Sequence, residues 1–363
     1  MGVKQLSEKS LREKIKPEDE ELRNLLESRK TQIKVVGAGG AGNNTITRLT
    51  QVGIIGAETV AVNTDAQDLL YTDSDKKVLI GRELTAGLGA GANPQMGMEA
   101  ARESKEDIKK ALQGADMVFL TCGLGGGTGT GSLPVIADIA KKMGALTVAV
   151  VTLPFKMEGN QRMANARFGL ENLEGMVDTL IVIPNDKLLE IVPDVSLETA
   201  FKICDEILVN AVKGVTELVT KPGLVNLDFA DVKAVMHDGG LAMIGMGESD
   251  TENRAVEAVE KALTNPLITV NIDGATGALI DVMGGPDVTM KEAQQIVEAV
   301  STKLSHDAKI IWGAQITKDM GDTVKALLIV TGVQSPQIYG SGKPWTKEKK
   351  KDIEKILGID FVE

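Results

Sequence analysis

The sequence predicts an α/β protein, with a Rossmann-like parallel sheet covered by helices on both faces and then a smaller mixed-sheet α+β part. Three observations carry that expectation. From residue 32 onward, short β-branched apolar runs recur, most of them end in glycine-rich turns, and helical stretches separate them. Continuous apolar strands belong where both faces of a sheet are buried, which crossover helices achieve in a parallel sheet. A chain of 363 residues also exceeds what a single core usually organises, so two domains are expected.

The elements follow in order. Residues 1–30 carry fifteen charged side chains. Leu6, Leu11 and Ile15 precede Pro17, and Leu22, Leu25 and Leu26 follow it, a pattern for two short amphipathic helices broken at the proline. Strands are expected at 33–37, 59–63, 77–81, 117–123, 146–154 and 179–184, with helices at 95–112, 130–143 and 161–175. A long helical pattern runs from Leu197 to Thr220 and stops at Lys221-Pro222-Gly223. Beyond it, 240–248, 277–285, 308–316 and 323–333 read as strands, and 252–264 and 290–304 as helices. Residues 334–344 have linker composition. The last segment, 345–363, sets Ile353, Ile356, Leu357 and Phe361 behind a lysine-rich run. The expected units are thus 1–30, 31–196, the helix 197–221, 222–333, and the tail 334–363.

Composition narrows the function. Aromatic residues are 3% of the chain and its formal charge is −11, which disfavours a nucleic-acid binder needing base-stacking platforms and a basic surface. A single nucleotide held by backbone amides and a metal ion remains compatible. Cys122 and Cys204 form no CxxC pair, so a disulfide framework is not expected and a reducing compartment is. His237 and His306 are the only histidines and show no partner pattern, which excludes a His-rich metal site. No run of eighteen apolar residues occurs and the N-terminus is charged from the start. A soluble, cytoplasmic protein is expected.

The chemistry lies in the loops. Gly37, Gly39 and Gly42 fit GxGxxG between a strand and a helix, where N–H donors and the positive end of the helix dipole meet a phosphate. The same loop fits a dinucleotide-binding unit, whose acidic ribose partner belongs about twenty residues on. The next strand ends in Asn63-Thr64-Asp65, so this loop alone leaves both readings open. The second loop, 123–131, is more specific: six glycines in nine residues between a strand and the helix SLPVIADIAKKM. Consecutive amides there can wrap several phosphate oxygens. GxxxxGK[ST] occurs nowhere, so a P-loop is excluded. A nicotinamide-dependent oxidoreductase leaves this loop and the acidic cluster NLDFAD at 226–231 unexplained. In that cluster Asp228 reads as a helix N-cap and Asp231 as a first-turn acid. Glu158 and Arg162 are spaced for an i, i+4 ion pair, and Phe201 and Asp205 share one helix face.

GGGTGTG closely resembles the signature loop of the tubulin/FtsZ family, and the surrounding segments fall in the same order from about Gln32 to Val333, most like FtsZ of the archaeal type. The resemblance implies a filament-forming GTPase of prokaryotic cell division, with GTP or GDP and Mg2+ as ligands. It implies that 31–196 binds GTP and that 222–333 is the assembly and GTPase-activating part. It places the nucleotide against Gly39, Gly40, Asn43 or Asn44 in the first loop. Asp65 would hold Mg2+ through a bound water. Ala90, Gly91 and Ala92 would face the γ-phosphate, and Gly125, Gly126, Gly127, Thr128, Gly129 and Thr130 the other phosphates. Glu158 would contact ribose, Arg162 phosphate and Asn185 the base and ribose. Phe201 would stack on guanine while Asp205 accepts its N1–H and exocyclic amine. Asn226, Asp228 and Asp231 match the synergy loop that completes the next subunit's site. The implied partners are further copies of the chain, head to tail, and membrane-tether or division proteins at the tail, with no nucleic acid and no direct membrane insertion; the implied place is mid-cell. A tubulin-family scaffold that binds GTP without dividing cells differs from this only in overall resemblance. ILGIDFVE departs from the acidic, proline-containing bacterial docking peptide, so bacterial partners do not carry over.

Overall fold

The computed structural model describes residues 31–187, 196–220, 223–225, 227–264 and 271–334. The expectations for 1–30, Asn226 and the tail 335–363 lie outside the described residues.

β1 (Ile33–Ala38), β2 (Ala57–Asn63) and β3 (Lys76–Leu79) alternate with α1 (Gly39–Val52), α2 (Ala66–Tyr71) and α3 (Arg82–Thr85). Then come α4 (Pro94–Glu103), α5 (Lys105–Leu112), β4 (Met117–Gly123), α6 (Thr128–Lys142), β5 (Leu146–Leu153), α7 (Asn160–Leu173) and β6 (Thr179–Pro184). α8 (Leu197–Thr220) is the long helix, and α9 (Phe229–Met236) follows it. The second half holds β7 (Gly240–Ser249), α10 (Arg254–Leu263), β8 (Gly277–Gly284), α11 (Met290–Ser301), β9 (Lys309–Ile316) and β10 (Val324–Thr331).

Among the described residues, ten strands form one sheet, in the order β3-β2-β1-β4-β5-β6-β7-β10-β8-β9. β1 to β6 pair in parallel; β10 is antiparallel to β7 and β8, and β9 is parallel to β8. The two halves meet at a short parallel seam in which Thr179, Leu180 and Ile181 of β6 oppose Gly240, Leu241 and Ala242 of β7. The sequence does not announce this continuity, because the segment joining the two strands contains both α8 and α9. The β-branched runs are buried as their pattern requires: every residue of β1 is buried, as is β4 up to its terminal glycine.

One helix differs from expectation. The run 95–112 is two helices, α4 and α5, broken at Ser104. Ser104 turns at φ −95°, ψ 23°, and its hydroxyl accepts the Gly81 N–H at 3.0 Å. A serine that hydrogen-bonds elsewhere gives the backbone a reason to leave the helix. The cap expected at Asp228 is present, and three others join it: Asp65, Asn93, Asp228 and Thr289 each accept a backbone N–H at the start of α2, α4, α9 and α11.

The core holds a costly group in Asp281 of β8, which is 2% exposed and bonded to Gln315 Nε2 at 2.7 Å. Burial pushes its carboxyl up to about 6, the charge of Glu217 on α8 adds to this, and the Gln315 bond opposes it. The folded protein therefore holds a proton that the unfolded chain releases near the ordinary carboxylate range. Stability from this group is complete below about pH 4 and is lost as pH rises through about 6. Asp281→Asn should raise stability at pH 8 by about 1–3 kcal/mol and remove that slope between pH 4 and 6. Urea midpoints at the two ends of that range are the check.

Candidate nucleotide site

β1 and β4 lie side by side at the point where the strand order reverses, the position at which open parallel sheets bind ligands. α1 and α6 leave their carboxyl ends, and neither helix has a side-chain cap: Ala38 and Gly127 occupy the cap positions. The first N–H groups of both helices thus lack the partner that α2, α4, α9 and α11 have, and with the helix dipole they make an anion site.

Glycine is required here for two different reasons. A side chain on Gly131 would collide with the Pro94 carbonyl, and one on Gly127 would come within 2.8 Å of the Asn93 nitrogen, so these positions hold α6 against the 90–94 segment. A Cβ on Gly40 or Gly126 would meet nothing within 4 Å. Those two glycines leave open space in front of the helix starts. Gly125 sits at φ 109°, and its N–H donates to Thr130 Oγ1 at 2.9 Å, which shapes the loop from within.

The predicted residues of the first three loops converge. Asn43 is buried and donates to Asp68 at 3.0 Å, while its own Oδ1 has no partner. Asn185, also buried, likewise has an unpartnered Oδ1. Orphaned buried acceptors are rare, and each of these two is free to take a ligand donor. Asp65 caps α2 through Oδ1, which accepts from Gln67 and Asp68 N–H, and its Oδ2 faces the loop at Gly89. Ala92 adopts φ 56°, unusual for a residue with a side chain, beside Gly91 at φ 57°.

Glu158 lies on the turn Lys156–Glu158 rather than in α7. Its Oε1 accepts the Phe155 N–H at 2.8 Å and its Oε2 pairs with Arg162 at 3.1 Å, so the expected ion pair spans a turn and a helix. Asp205 and Asn44 line a cavity of about 400 Å³ between α1 and α8, with Thr47, Arg48, Gln51, Lys202 and Glu206. Phe201 is 41% exposed, not core, and meets Phe155 edge-on at 5.4 Å. It does not line that cavity but lies one turn away on the same helix face as Asp205.

Three contacts had no motif signal. The hydroxyls of Thr64 and Thr128 are 2.6 Å apart and join two loops. Asn165 donates to the carbonyls of Ala92 and Gly125 at 3.0 and 3.2 Å, stapling two others. Its spacing from Arg162, i to i+3, was the available hint. His237, expected to be without a partner, has its Nδ1 3.0 Å from Asp178 Oδ1. That contact joins distant segments, so spacing could not show it.

The acids lie elsewhere. Asp228 and Asp231 cap α9 reciprocally: Asp231 N–H donates to Asp228 Oδ1 at 2.8 Å, and Asp228 N–H to Asp231 Oδ2 at 3.2 Å. Asp205 lies in the first half of α8 (Leu197–Thr220), and the stretch of helix from it to Thr220 is about 22 Å long at 1.5 Å per residue. Its last residue, Thr220, bonds to Ile55 O just before β2, at the amino-terminal end of the parallel strands. The phosphate cradle is at the carboxyl end.

Fold and cradle together define a nucleotide-binding α/β protein with two glycine-rich, uncapped helix starts at the switch point. The tubulin/FtsZ family GTPase domain matches residues 32–193, and the FtsZ family C-terminal domain matches 240–334. "Cell division protein FtsZ 1" of Methanocaldococcus jannaschii is 64% identical over 321 residues, 88% of each chain. The Archaeoglobus fulgidus protein of the same name is 55% identical over 345 residues, 95% of this chain and 92% of the relative. Among solved structures, an empty FtsZ dimer from M. jannaschii superposes with a TM-score of 0.82 at 60% identity, covering 92% of this chain and all of that one. CetZ2 of Haloferax volcanii, at 22% identity and a TM-score of 0.74 over 90% of this chain and 100% of that one, shares the fold. The chain belongs to the FtsZ family of tubulin-like GTPases. Guanine nucleotide is accordingly its ligand class.

The two kinds of glycine separate in a direct test. Gly126→Ala should melt with the wild type yet bind GDP about tenfold or more weakly, while Gly131→Ala should lower the melting temperature itself. Thermal scans beside a fluorescent-GDP titration distinguish them.

Proposed function

We propose that the chain is a GTPase of the cell-division machinery that polymerises head to tail, each subunit's Asp228 and Asp231 completing the site of the next. The observation that carries this is the separation of cradle and acids at opposite ends of the molecule. One subunit cannot bring its own acids to its own nucleotide, but a head-to-tail contact can, and repeating it without closure makes a filament. Both ends also expose apolar side chains: Tyr71 and Leu88 beside the nucleotide loops, Leu224 beside the acids. The M. jannaschii FtsZ structure is itself a dimer, which agrees with self-association.

In this reading the loop amides of 90–92 and 125–130 bind the phosphates, joined by Gly39, Gly40, Asn43 and Arg162. Glu158 serves the ribose, Asn185 the base and ribose, Asn44 and Asp205 the base, and Phe201 stacks on it. Asp65 would hold Mg2+ through a bound water, and the ion when bound neutralises phosphate charge. Asp228 and Asp231 each spend one oxygen on the helix cap. That fixes the carboxylates in place, and orienting water at a γ-phosphate requires mainly such positioning. Asn226 is assigned to the same loop from the resemblance. The described helices include none long and apolar enough to cross a membrane. Recruitment to the division site is assigned to partners of 345–363, whose removal should leave purified turnover near wild type but abolish localisation of a tagged copy.

Specific GTPase activity should rise with protein concentration above an assembly threshold. Asp231→Ala should bind GTP and pellet with it, yet hydrolyse poorly. Mixing it with a variant whose 126–127 loop cannot hold nucleotide should restore some turnover. Equal specific rates in dilute and concentrated protein would sink the shared site.

Burial pushes the Asp205 carboxyl up to about 6, with Glu206 adding to the shift. Guanine's two donors need the ionised acid, so GTP affinity should hold above pH 6 and fall about tenfold per unit below it. Asp205→Ala should abolish that slope and narrow the GTP/ATP preference by about 1–3 kcal/mol, as read by titrations at pH 5 and 7.5.

A further inference from the structure

We propose that Asp178, His237 and Asp238 form a site for a zinc-class divalent cation at the seam between the two halves of the sheet. Among the described residues this trio is the cluster whose ligand atoms, one from each side chain, all lie within 4.8 Å of one another. Asp178 immediately precedes β6 and belongs to the nucleotide-binding half. His237 and Asp238 follow α9 and lead into β7. The cluster therefore bridges the strands whose pairing joins the halves.

Asp178 is the independent sign of a ligand. It is 2% exposed, and its Oδ2 is fully used, accepting Thr147 N–H at 2.8 Å and the Thr147 hydroxyl at 2.7 Å. Its Oδ1 is buried and accepts no hydrogen bond. That oxygen points at His237 Nδ1, 3.0 Å away, and the other ring nitrogen lies 3.6 Å from Asp238 Oδ2. Asp238 is held in the left-handed region at φ 52°, which turns the chain straight from α9 into β7. Although burial raises the Asp178 carboxyl, the Thr147 bonds, Lys141 and His237 outweigh it and keep the group below the usual carboxylate range. An ionised carboxylate is the form that ligates.

One imidazole nitrogen and two carboxylate oxygens are a zinc-type donor set, three protein ligands leaving a fourth position for water. Two carboxylates balance the charge of a divalent ion. The cluster also sits at the carboxyl-terminal end of α9, where the helix dipole favours a cation. One group competes: Lys141 Nζ is 3.5 Å from Asp178 Oδ1. Its side chain is 38% exposed, and its flexible stem lets the ammonium leave for solvent when a metal arrives. A proton on His237 competes in the same way.

The competition supplies the test. Full-length protein saturated with GDP and excess Mg2+, which occupies the nucleotide site, is titrated with Zn2+ against a chromophoric chelator, and its melting temperature is followed in parallel. One zinc per chain is expected, with a rise in melting temperature. His237→Gln and Asp238→Asn should each weaken zinc at least about tenfold and lose the thermal rise; asparagine tolerates the left-handed backbone at 238. Lys141→Gln should bind zinc several-fold more tightly, because the rival cation is gone. Absence of a stoichiometric zinc, His237→Gln and Asp238→Asn binding as wild type, or Lys141→Gln binding no better would each overturn the site. None of these readouts involves turnover or assembly, so they stand or fall apart from the shared-site reading.

Discussion

Two helix N-termini brought into backbone contact are the constraint on which the nucleotide half depends. α1 and α6 rise from adjacent strands, and Gly39 and Gly129 are where they touch: a Cβ on Gly39 would stand 2.9 Å from the Gly129 nitrogen. Only glycine permits that approach. The result is two dipole ends and two sets of unpartnered amides aimed at one volume, an arrangement that costs stability unless an anion fills it. The loops around it are tied to one another, through Thr64 with Thr128 and through Asn165 with Ala92 and Gly125, so the amides are held in place before any ligand arrives.

The long helix converts that local cradle into a polar molecule. α8 starts beside the cavity lined by Asn44 and Asp205, where Arg48 of α1 pairs with Glu206, and ends where Thr220 meets Ile55. Its inward face is apolar: Leu208, Val212 and Val215 are fully buried in the core cluster. A rigid, buried rod of this length fixes which end of the subunit carries nucleotide loops and which carries the acidic turn. The acids need no strain to hold them, because the reciprocal cap of α9 already uses both carboxylates.

The seam is the third determinant. Three residue pairs join β6 to β7, and the core cluster continues through both halves without a break. Thr179 Oγ1 donates to the Met236 carbonyl at 2.5 Å, and Gly240 N–H to Asp178 O at 2.9 Å. The end of α9 is thus gripped by the nucleotide-binding half while its start faces solvent with the acids. Both thiols are spectators: Cys122 and Cys204 are buried and burial pushes them up, Cys204 to about 12, which leaves them unreactive.

What the sequence by itself determined is everything governed by neighbours along the chain. Periodicity placed the strands of the parallel sheet and the span of α8, because alternation and helical repeat are properties of a few consecutive residues. Cap chemistry marked Asp228 as the start of a helix, and glycine density marked the 123–131 loop. The break at Ser104 escaped notice because its cause, the bond to the Gly81 N–H, comes from 23 residues away. Tertiary structure alone decided that the two halves share one sheet, that Asn165 staples two loops and that His237 meets Asp178. It also decided that Asp205 and Asn44 share a cavity while Asp228 and Asp231 stand at the far end of α8. These depend on which surfaces the core brings together, and pairings across dozens or hundreds of residues leave no period in the sequence.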